Sequence, residues 1–401
     1  MIELEEALSR VLAGIVPLAS ETIPLRQAAG RFVTAPLLAP IPLPPFDNSM
    51  FDGYALRSAD VCHASRSNPT RLKILGDIPA GTDWPGRVDV GEAVRIFTGA
   101  PLPEGADAIV MQEDTLPEPS EPGTVRILEV SKPWEGVRFA GEDVKAGSEV
   151  AKAGDKLTAA RLGLLAALGF GVVTVSRKPI VGIFSTGDEL VTSGRPLRPG
   201  QIYESNRACL TPLLEAAGAT MRDFGIVRDG LEATAAALKE AFAECDAVVT
   251  SGGVSVGEHD HVKPALELAG GRLDLWRVAI KPGKPFAFGK LDGKCLFGLP
   301  GNPISAMVTC LLLVRPALLR MQGASATGPK SVRAELATPL ENDGNRRHYV
   351  RVRFTASGTV EQCGLQASHA LGGFALSDGL VAVPPATKIN AGDRVDVLLW
   401  D

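Results

Sequence analysis

Residues 179–187 read PIVGIFSTG, and the fold of the chain turns on them. A proline, an apolar run rich in β-branched residues, then Ser-Thr-Gly, spells a buried strand closed by a turn. A helical stretch follows at 206–219 (NRACLTPLLEAAGA). The alternation then repeats, with strand MRDFGIV (221–227), helix LEATAAALKEAFAE (231–244), strand DAVVTSGG (246–253) and helix HVKPALELAGG (261–271). Two short runs, LWRVAIK (275–281) and PFAFG (285–289), lead into the strand KCLFGLP (294–300) and a long helix over 303–321. This alternation predicts a three-layer α/β unit with a mostly parallel sheet. Ligands of such sheets gather at the carboxyl ends of the strands.

Outside this segment the pattern changes. Residues 2–15 place Leu4, Leu8, Val11, Leu12 and Ile15 on one helical face. Residues 36–46 (PLLAPIPLPPF) are proline-rich, hence extended and stiff. Short β-like runs between Gly and Pro breaks fill 47–141, among them RLKILGDIPAG, EAVRIFTGAP, ADAIVMQED and TVRILEV, with a polar loop at 115–124. Residues 158–169 read as a helix, with Thr158 as N-cap and Gly169 at its stop. Residues 330–401 are strand-like again (RRHYVRVRF, GLVAVPP, DRVDVLLWD) and predict a small barrel or sandwich.

The 401 residues carry 41 Lys and Arg against 46 Asp and Glu, a net charge of −5. An acidic chain is a poor candidate for non-specific nucleic-acid binding, although a local basic cluster still suits an anion. The 6 cysteines are scattered and form no CxxC pair, which argues against a structural zinc site and fits a reduced cytoplasmic protein. The N-terminus MIELEEALSRVLAG is acidic and amphipathic, unlike a signal peptide. The apolar stretches 157–175 and 303–321 are interrupted by Arg161 and by Arg315-Pro316, so neither reads as a membrane span.

Several segments carry chemistry. After KCLFGLP, the residues Pro300, Gly301, Asn302 and Pro303 open a helix, and free N–H groups at a helix start favour an anion. The loop SGGVSVGEHDHVK (251–263) combines glycines and two serines with Glu258, Asp260 and Lys263, a set suited to phosphate or pterin contact with a hard divalent cation nearby. Its GVSVG (253–257) matches GxSxG formally, but no Asp–His partnership accompanies it, so an esterase is disfavoured. STGDEL (185–190) puts Asp188 and Glu189 at a strand end, and Asp229 ends the next strand. With Asp260 these are more carboxylates than helix capping requires. AIKPGKPFAFG (279–289) offers Lys281 and Lys284 on a stiffened turn, where two close ammonium groups call for an anion. In the β region, DNSMFDGYALR (47–57), RIFTGAPLP (95–103) and GEDV (141–144) supply Asp52, Thr98 and Asp143. No Rossmann or Walker A loop is present, and the 5 histidines form no HExxH.

Together the segments PPFDNSMFDGYALR, EAVRIFTGAPLPEGADAIVMQED, GEDVKAG, STGDELV, GQIYESN, SGGVSVGEHDHVK, IKPGKPFAFG and GLPGNPIS resemble the molybdopterin molybdenumtransferase family (MoeA type, with the gephyrin E domain) along nearly the whole chain. The resemblance implies a multidomain α/β plus β protein. Its expected parts are a discontinuous elongated domain (1–46 and 142–177), an inserted β domain (47–141), an α/β molybdopterin-binding domain (178–325) and a barrel-like C-terminal β domain (326–401). It implies a homodimer with its cleft between the α/β domain of one subunit and the β domain of the other. The implied reaction inserts molybdate into adenylylated molybdopterin, with release of AMP and molybdenum cofactor and a requirement for magnesium. The implied catalytic set is Asp52, Thr98, Asp143, Glu189, Asp229 and Asp260, with Glu189, Asp229 and Asp260 as metal ligands. Pterin and phosphate contacts fall on Thr186, Gly187, Asp188, Ser251, Gly252, Gly253, Ser255, Pro300, Gly301, Asn302 and Pro303. Molybdate contacts fall on Lys281, Lys284, Arg351 and Ser368. Lys, Arg and hydroxyl donors are what a dianionic oxyanion wants.

The chain departs from the family in carrying Met50-Phe51 where many members have Ala-Met, and Arg277 where a lysine is frequent. Competing readings are a non-catalytic gephyrin-like scaffold and a nucleotide-acting enzyme that shares only the α/β unit. A third is the adenylyltransferase of the preceding step, which also fits the family as a partner. The adenylyltransferase family resembles only the α/β unit and would leave the residues before about 180 unexplained, and the β-region motifs DNSMFDGYA and TGAPLP disfavour the nucleotide-acting enzyme.

Overall fold

The computed structural model describes residues 1–254 and 260–400, the side chains of Leu275 and Trp276 excepted. The chain forms two compact units, one of Met1–Ala35, Ala153–Thr158 and Val172–Asp401, the other of Pro36–Lys152 and Ala159–Gly171.

In the first unit the chain runs β1 (Ile180–Thr186), α1 (Asn206–Ala216), β2 (Thr220–Val227), α2 (Leu231–Glu244), β3 (Ala247–Ser251), α3 (Val262–Leu268), β4 (Arg272–Trp276), β5 (Ala287–Leu291), β6 (Lys294–Leu299), α4 (Pro303–Thr309) and α5 (Arg315–Met321). The sheet order is β2-β1-β3-β6-β5-β4. The pairings β1/β2, β1/β3 and β3/β6 are parallel, while β6/β5 and β5/β4 are antiparallel. The parallel part is therefore the half that carries the crossover helices, because parallel neighbours need long connections and a hairpin suffices for β5 to β6. The chain leaves β1 toward β2 and returns to β3 on its other side, so a crevice opens between the ends of β1 and β3.

Both faces of this sheet are covered, which is why its strands lack polar alternation. Val181 and Ile183 of β1 pack with Leu210 and Leu214 of α1, with α4 and α5, and with Leu4, Ala7 and Val11 of the N-terminal helix Leu4–Ala13. Phe184 turns the other way, into Leu238 and Phe242 of α2 and Val262 and Leu266 of α3. The helix over 303–321 is one run in which a π-helical stretch, Cys310–Val314, joins α4 to α5. Pro316 has no N–H and its ring crowds the preceding turn, and the π-helical stretch lies just before it. Pro303–Met321 is long and apolar enough to cross a membrane, but its apolar window is 89% buried inside the protein, as befits a core helix.

A second sheet in this unit has the order Ile280–Lys281, Arg347–Phe354, Gly379–Val383, Arg394–Leu399, Ser331–Glu335. Ile280–Lys281 belongs by sequence to the α/β segment, yet it pairs in parallel with Arg347 and His348. The other unit holds a six-stranded sheet in the order Ala108–Met111, Gly53–Leu56, Glu92–Ile96, Thr70–Ile78, Thr124–Ile127, Thr115–Pro117. Gly53 is required there, since a Cβ would lie 2.0 Å from the Val110 carbonyl oxygen. Its helix Ala159–Ala167 follows Thr158, and Gly169 ends the turn at φ +87°. All 6 cysteines are unpaired.

Two outcomes follow from this packing. Phe184→Ala leaves a cavity between β1 and α2 and costs about 3–5 kcal/mol in urea unfolding. His348 is buried with Nε2 unpartnered, and its pKa is lowered to about 4, first by burial and then by Lys281, Arg351 and Arg346. The unfolded chain takes up this proton near 6.5. Between the two values the unfolded state binds more protons, so stability is lost as pH falls from 6.5 toward 4. His348→Gln flattens that slope in urea titrations, and equal slopes would show that His348 does not carry it.

Candidate active site

The crevice beside β1 is built from three strand ends. Thr186-Gly187 ends β1, Ser251-Gly252-Gly253 ends β3, and Pro300-Gly301-Asn302 ends β6. Gly252 and Gly253 hold φ of +95° and +68°, which side-chain-bearing residues rarely adopt. A Cβ at Gly252 would sit 2.7 Å from the Thr186 carbonyl oxygen, so the two turns touch through backbone. The Gly252 N–H donates to the Leu299 carbonyl at 3.0 Å, which ties the second turn to β6.

Two cavities share this rim. One, of about 310 Å³, is lined by Glu189, Asp229, Asp260, Gly252, Gly301 and Ser305 among others. The other, of about 570 Å³, is lined by Tyr203, Glu204, Asn206, Ser251, Pro303 and His369 among others. Thr186, Glu189, Gly301 and Asn302 border both. Glu189, Asp229 and Asp260 thus face one small space. Among the described residues, however, no group of three His, Cys, Asp or Glu side chains stands close enough to hold a metal unaided.

The other expected residues take varied positions. The Asp188 N–H donates to Asp229 Oδ2 and the Asp229 N–H to Asp188 Oδ1, both at 3.3 Å, so the loops after β1 and β2 hold each other. The Ile304 N–H in the first turn of α4 donates to the Ser368 carbonyl at 3.0 Å. One of the donors expected for an anion is therefore already taken, and the contact brings Ser368 and its neighbour His369 to the rim. Lys281 and Lys284 are exposed, and Lys284 precedes Pro285, which lines the smaller cavity. Arg351 is 1% exposed. Its Nη2 donates to the carbonyls of Leu365 and Ala367, so the guanidinium braces the 363–368 loop, and burial lowers its pKa. Ser255 lies outside the described residues.

In the other unit, Asp52 Oδ1 accepts from the Thr98 N–H at 2.9 Å and from its hydroxyl at 2.8 Å. These bonds, backbone first, hold the exposed Asp52 carboxyl below its usual pKa. Asp143 is exposed on a separate turn, with its N–H donating to the Leu43 carbonyl at 3.1 Å. At the departures from the family pattern, Met50 and Phe51 are each 37% exposed, and Arg277 holds φ of +76°.

The fold also brings to the cavities Glu204, Asn206, Pro285, Ser305 and His369, none of which was expected there individually, although the first four lie in the segments GQIYESN, IKPGKPFAFG and GLPGNPIS. Taken by itself, the polar Glu-Ser-Asn just ahead of an apolar helix is a helix-start pattern with no ligand implied.

Residues 2–169 match the MoeA N-terminal region (domain I and II), 182–320 the probable molybdopterin binding domain, and 333–400 the MoeA C-terminal region (domain IV). A molybdopterin molybdenumtransferase of Haemophilus influenzae is 38% identical over 99% of this chain and 98% of its own length. The chain belongs to the molybdopterin molybdenumtransferase family. Another relative of that name, from Nostoc, is 38% identical over 94% of this chain and 88% of its own. A MoeA structure from Pyrococcus horikoshii superposes with a TM-score of 0.86 at 29% identity, covering 100% of both chains. The multidomain α/β plus β architecture is thus that of the MoeA family.

The rim of this MoeA-type site distinguishes two of its glycines. Gly252→Ala sets a Cβ against Thr186 in a left-handed backbone and lowers stability by about 1–3 kcal/mol. Gly301→Ala meets only Gly252 Cα, at 3.7 Å, and leaves stability unchanged. Urea unfolding of the two variants separates them, and equal losses would contradict the close contact.

Proposed function

We propose that this protein is the transferase that inserts molybdenum into adenylylated molybdopterin in molybdenum cofactor biosynthesis, releasing AMP. The observation that carries this reading is the pair of adjoining cavities at the β1/β3 crevice, with Glu189, Asp229 and Asp260 around the smaller. Two cavities with a common glycine rim suit a ligand of two heterocyclic halves joined by a pyrophosphate. Backbone at Gly252 and Gly301 lets phosphate oxygens approach closely.

The donor set fits magnesium. Carboxylates facing one small space repel one another unless a cation or protons intervene. Magnesium binds through one or two carboxylates together with substrate phosphates and waters, so it needs no finished protein cage. Glu189, Asp229 and Asp260 would hold it. When bound, it neutralises pyrophosphate charge as a Lewis acid.

The protein's own residues clamp anions, orient a water toward the adenylate phosphorus and keep the two halves in register. Hydrolysis breaks the phosphoanhydride and frees AMP. The two dithiolene sulfurs bind molybdate, the metal substrate, and displace an oxo oxygen, which leaves as water with the two thiol protons. Lys281, Lys284, Arg351 and Ser368 are assigned to molybdate. In a homodimer, Asp52, Thr98 and Asp143 are assigned to the cleft as contributions of the second copy. The protein works in the cytoplasm, beside the adenylyltransferase that makes its substrate.

Single-turnover AMP release from adenylylated molybdopterin, with magnesium and with or without molybdate, tests the reading. Wild type shows molybdate-dependent release, and Asp229→Asn lowers it at least 100-fold, the order of a lost acid–base or electrostatic group. A folded wild type that releases no AMP would sink it and return the scaffold and nucleotide-acting alternatives.

A further inference from the structure

Asn206, the first residue of α1, is 9% exposed and borders the 570 Å³ cavity. Its Nδ2 donates to the Gly301 carbonyl at 2.7 Å and to Ser251 Oγ at 2.6 Å. Ser251 Oγ in turn donates to the Pro300 carbonyl at 3.4 Å. The chain of donors has one consistent sense. A carbonyl can only accept, so the amide atom facing Gly301 is nitrogen, and the oxygen is the atom left over. That Oδ1 is buried and has no partner among the described residues. Thr186 Oγ1, on the same cavity wall, is likewise buried without a partner.

These facts give Asn206 two connected roles. Its NH₂ bridges the turn after β3 to the turn after β6, so it sets the spacing of the glycine rim. Rotating the amide to satisfy Oδ1 elsewhere would break both bonds, so the acceptor is locked in orientation. A buried acceptor left unmatched costs free energy, and an arrangement of this kind is kept where a ligand supplies the match. An acceptor-only atom selects an N–H donor and rejects a second acceptor.

We propose that Asn206 is a positioning and specificity-determining residue, which ties the Ser251–Gly253 turn to the Pro300–Asn302 turn and presents Oδ1 to an N–H on the edge of a nitrogen heterocycle. This rests on the reading that the crevice takes adenylylated molybdopterin, whose two halves both carry such an edge.

The test measures binding of molybdopterin and of AMP as separate probes, to wild type, Asn206→Ala and Asn206→Asp, alongside thermal unfolding. Asn206→Ala weakens one probe about 10-fold or more, the loss of one matched hydrogen bond, while the other changes less than about 2-fold. The probe affected tells which heterocycle meets Oδ1. Asn206→Asp keeps an acceptor and the volume, but needs a protonated carboxyl to donate to the Gly301 carbonyl. Its affinity for that same probe therefore improves as pH falls, unlike that of wild type. Equal affinities in all three proteins would overturn the proposal, as would parallel loss of both probes in step with lost thermal stability. A wild type that binds neither probe would instead remove the functional reading on which the proposal rests.

Discussion

Hydrogen bonding along both edges of β1 is the constraint from which the rest of the α/β unit follows. Its parallel register to β2 on one side and to β3 on the other forces each connection to cross a face of the sheet. All three strands then end at the same edge, and their outgoing loops splay to either side. The crevice between them is a consequence of topology before any side chain is chosen. Burial of Val181, Ile183 and Phe184 between two helical layers holds that arrangement rigid.

On this frame the site is made by backbone contact more than by side-chain reach. Gly252 touches Thr186 and is bonded to Leu299, so the ends of β1, β3 and β6 form one surface. Side chains then divide their work. Asp188 and Asp229 hold neighbouring loops together, Asn206 spans two turns, and Arg351 braces the loop that delivers Ser368. A residue expected at the ligand thus also serves, in this structure, to hold its neighbours in place.

Two of the links between the C-terminal sheet and the α/β unit are small. The Ser368 carbonyl accepts from the first turn of α4, and Ile280–Lys281 joins the sheet of Arg347–Phe354. Neither could be inferred from hydrophobic pattern, because a two-residue strand has no periodicity to read. The consequence is chemical. Lys281 comes beside His348, a neutral buried histidine among cations, and local positive charge gathers in a protein that is acidic as a whole.

Local spacing settles the main strands and helices of 179–321 and the carboxylates at strand ends, since burial on both faces demands unbroken apolar runs, but not the run 275–281, which the structure divides between two sheets. The short motifs, taken together, also settle the family. Tertiary structure decides what depends on distances between remote segments. It ends the parallel pairing at β6, lets the helix over 303–321 pass Pro316 through a π-turn, and buries Arg351. It also makes Asn206, by local pattern only a helix-start residue, a bridge between turns some 45 and 95 positions away. Hydrogen bonds between distant residues carry no local signature, because either partner alone fits an ordinary turn or cap.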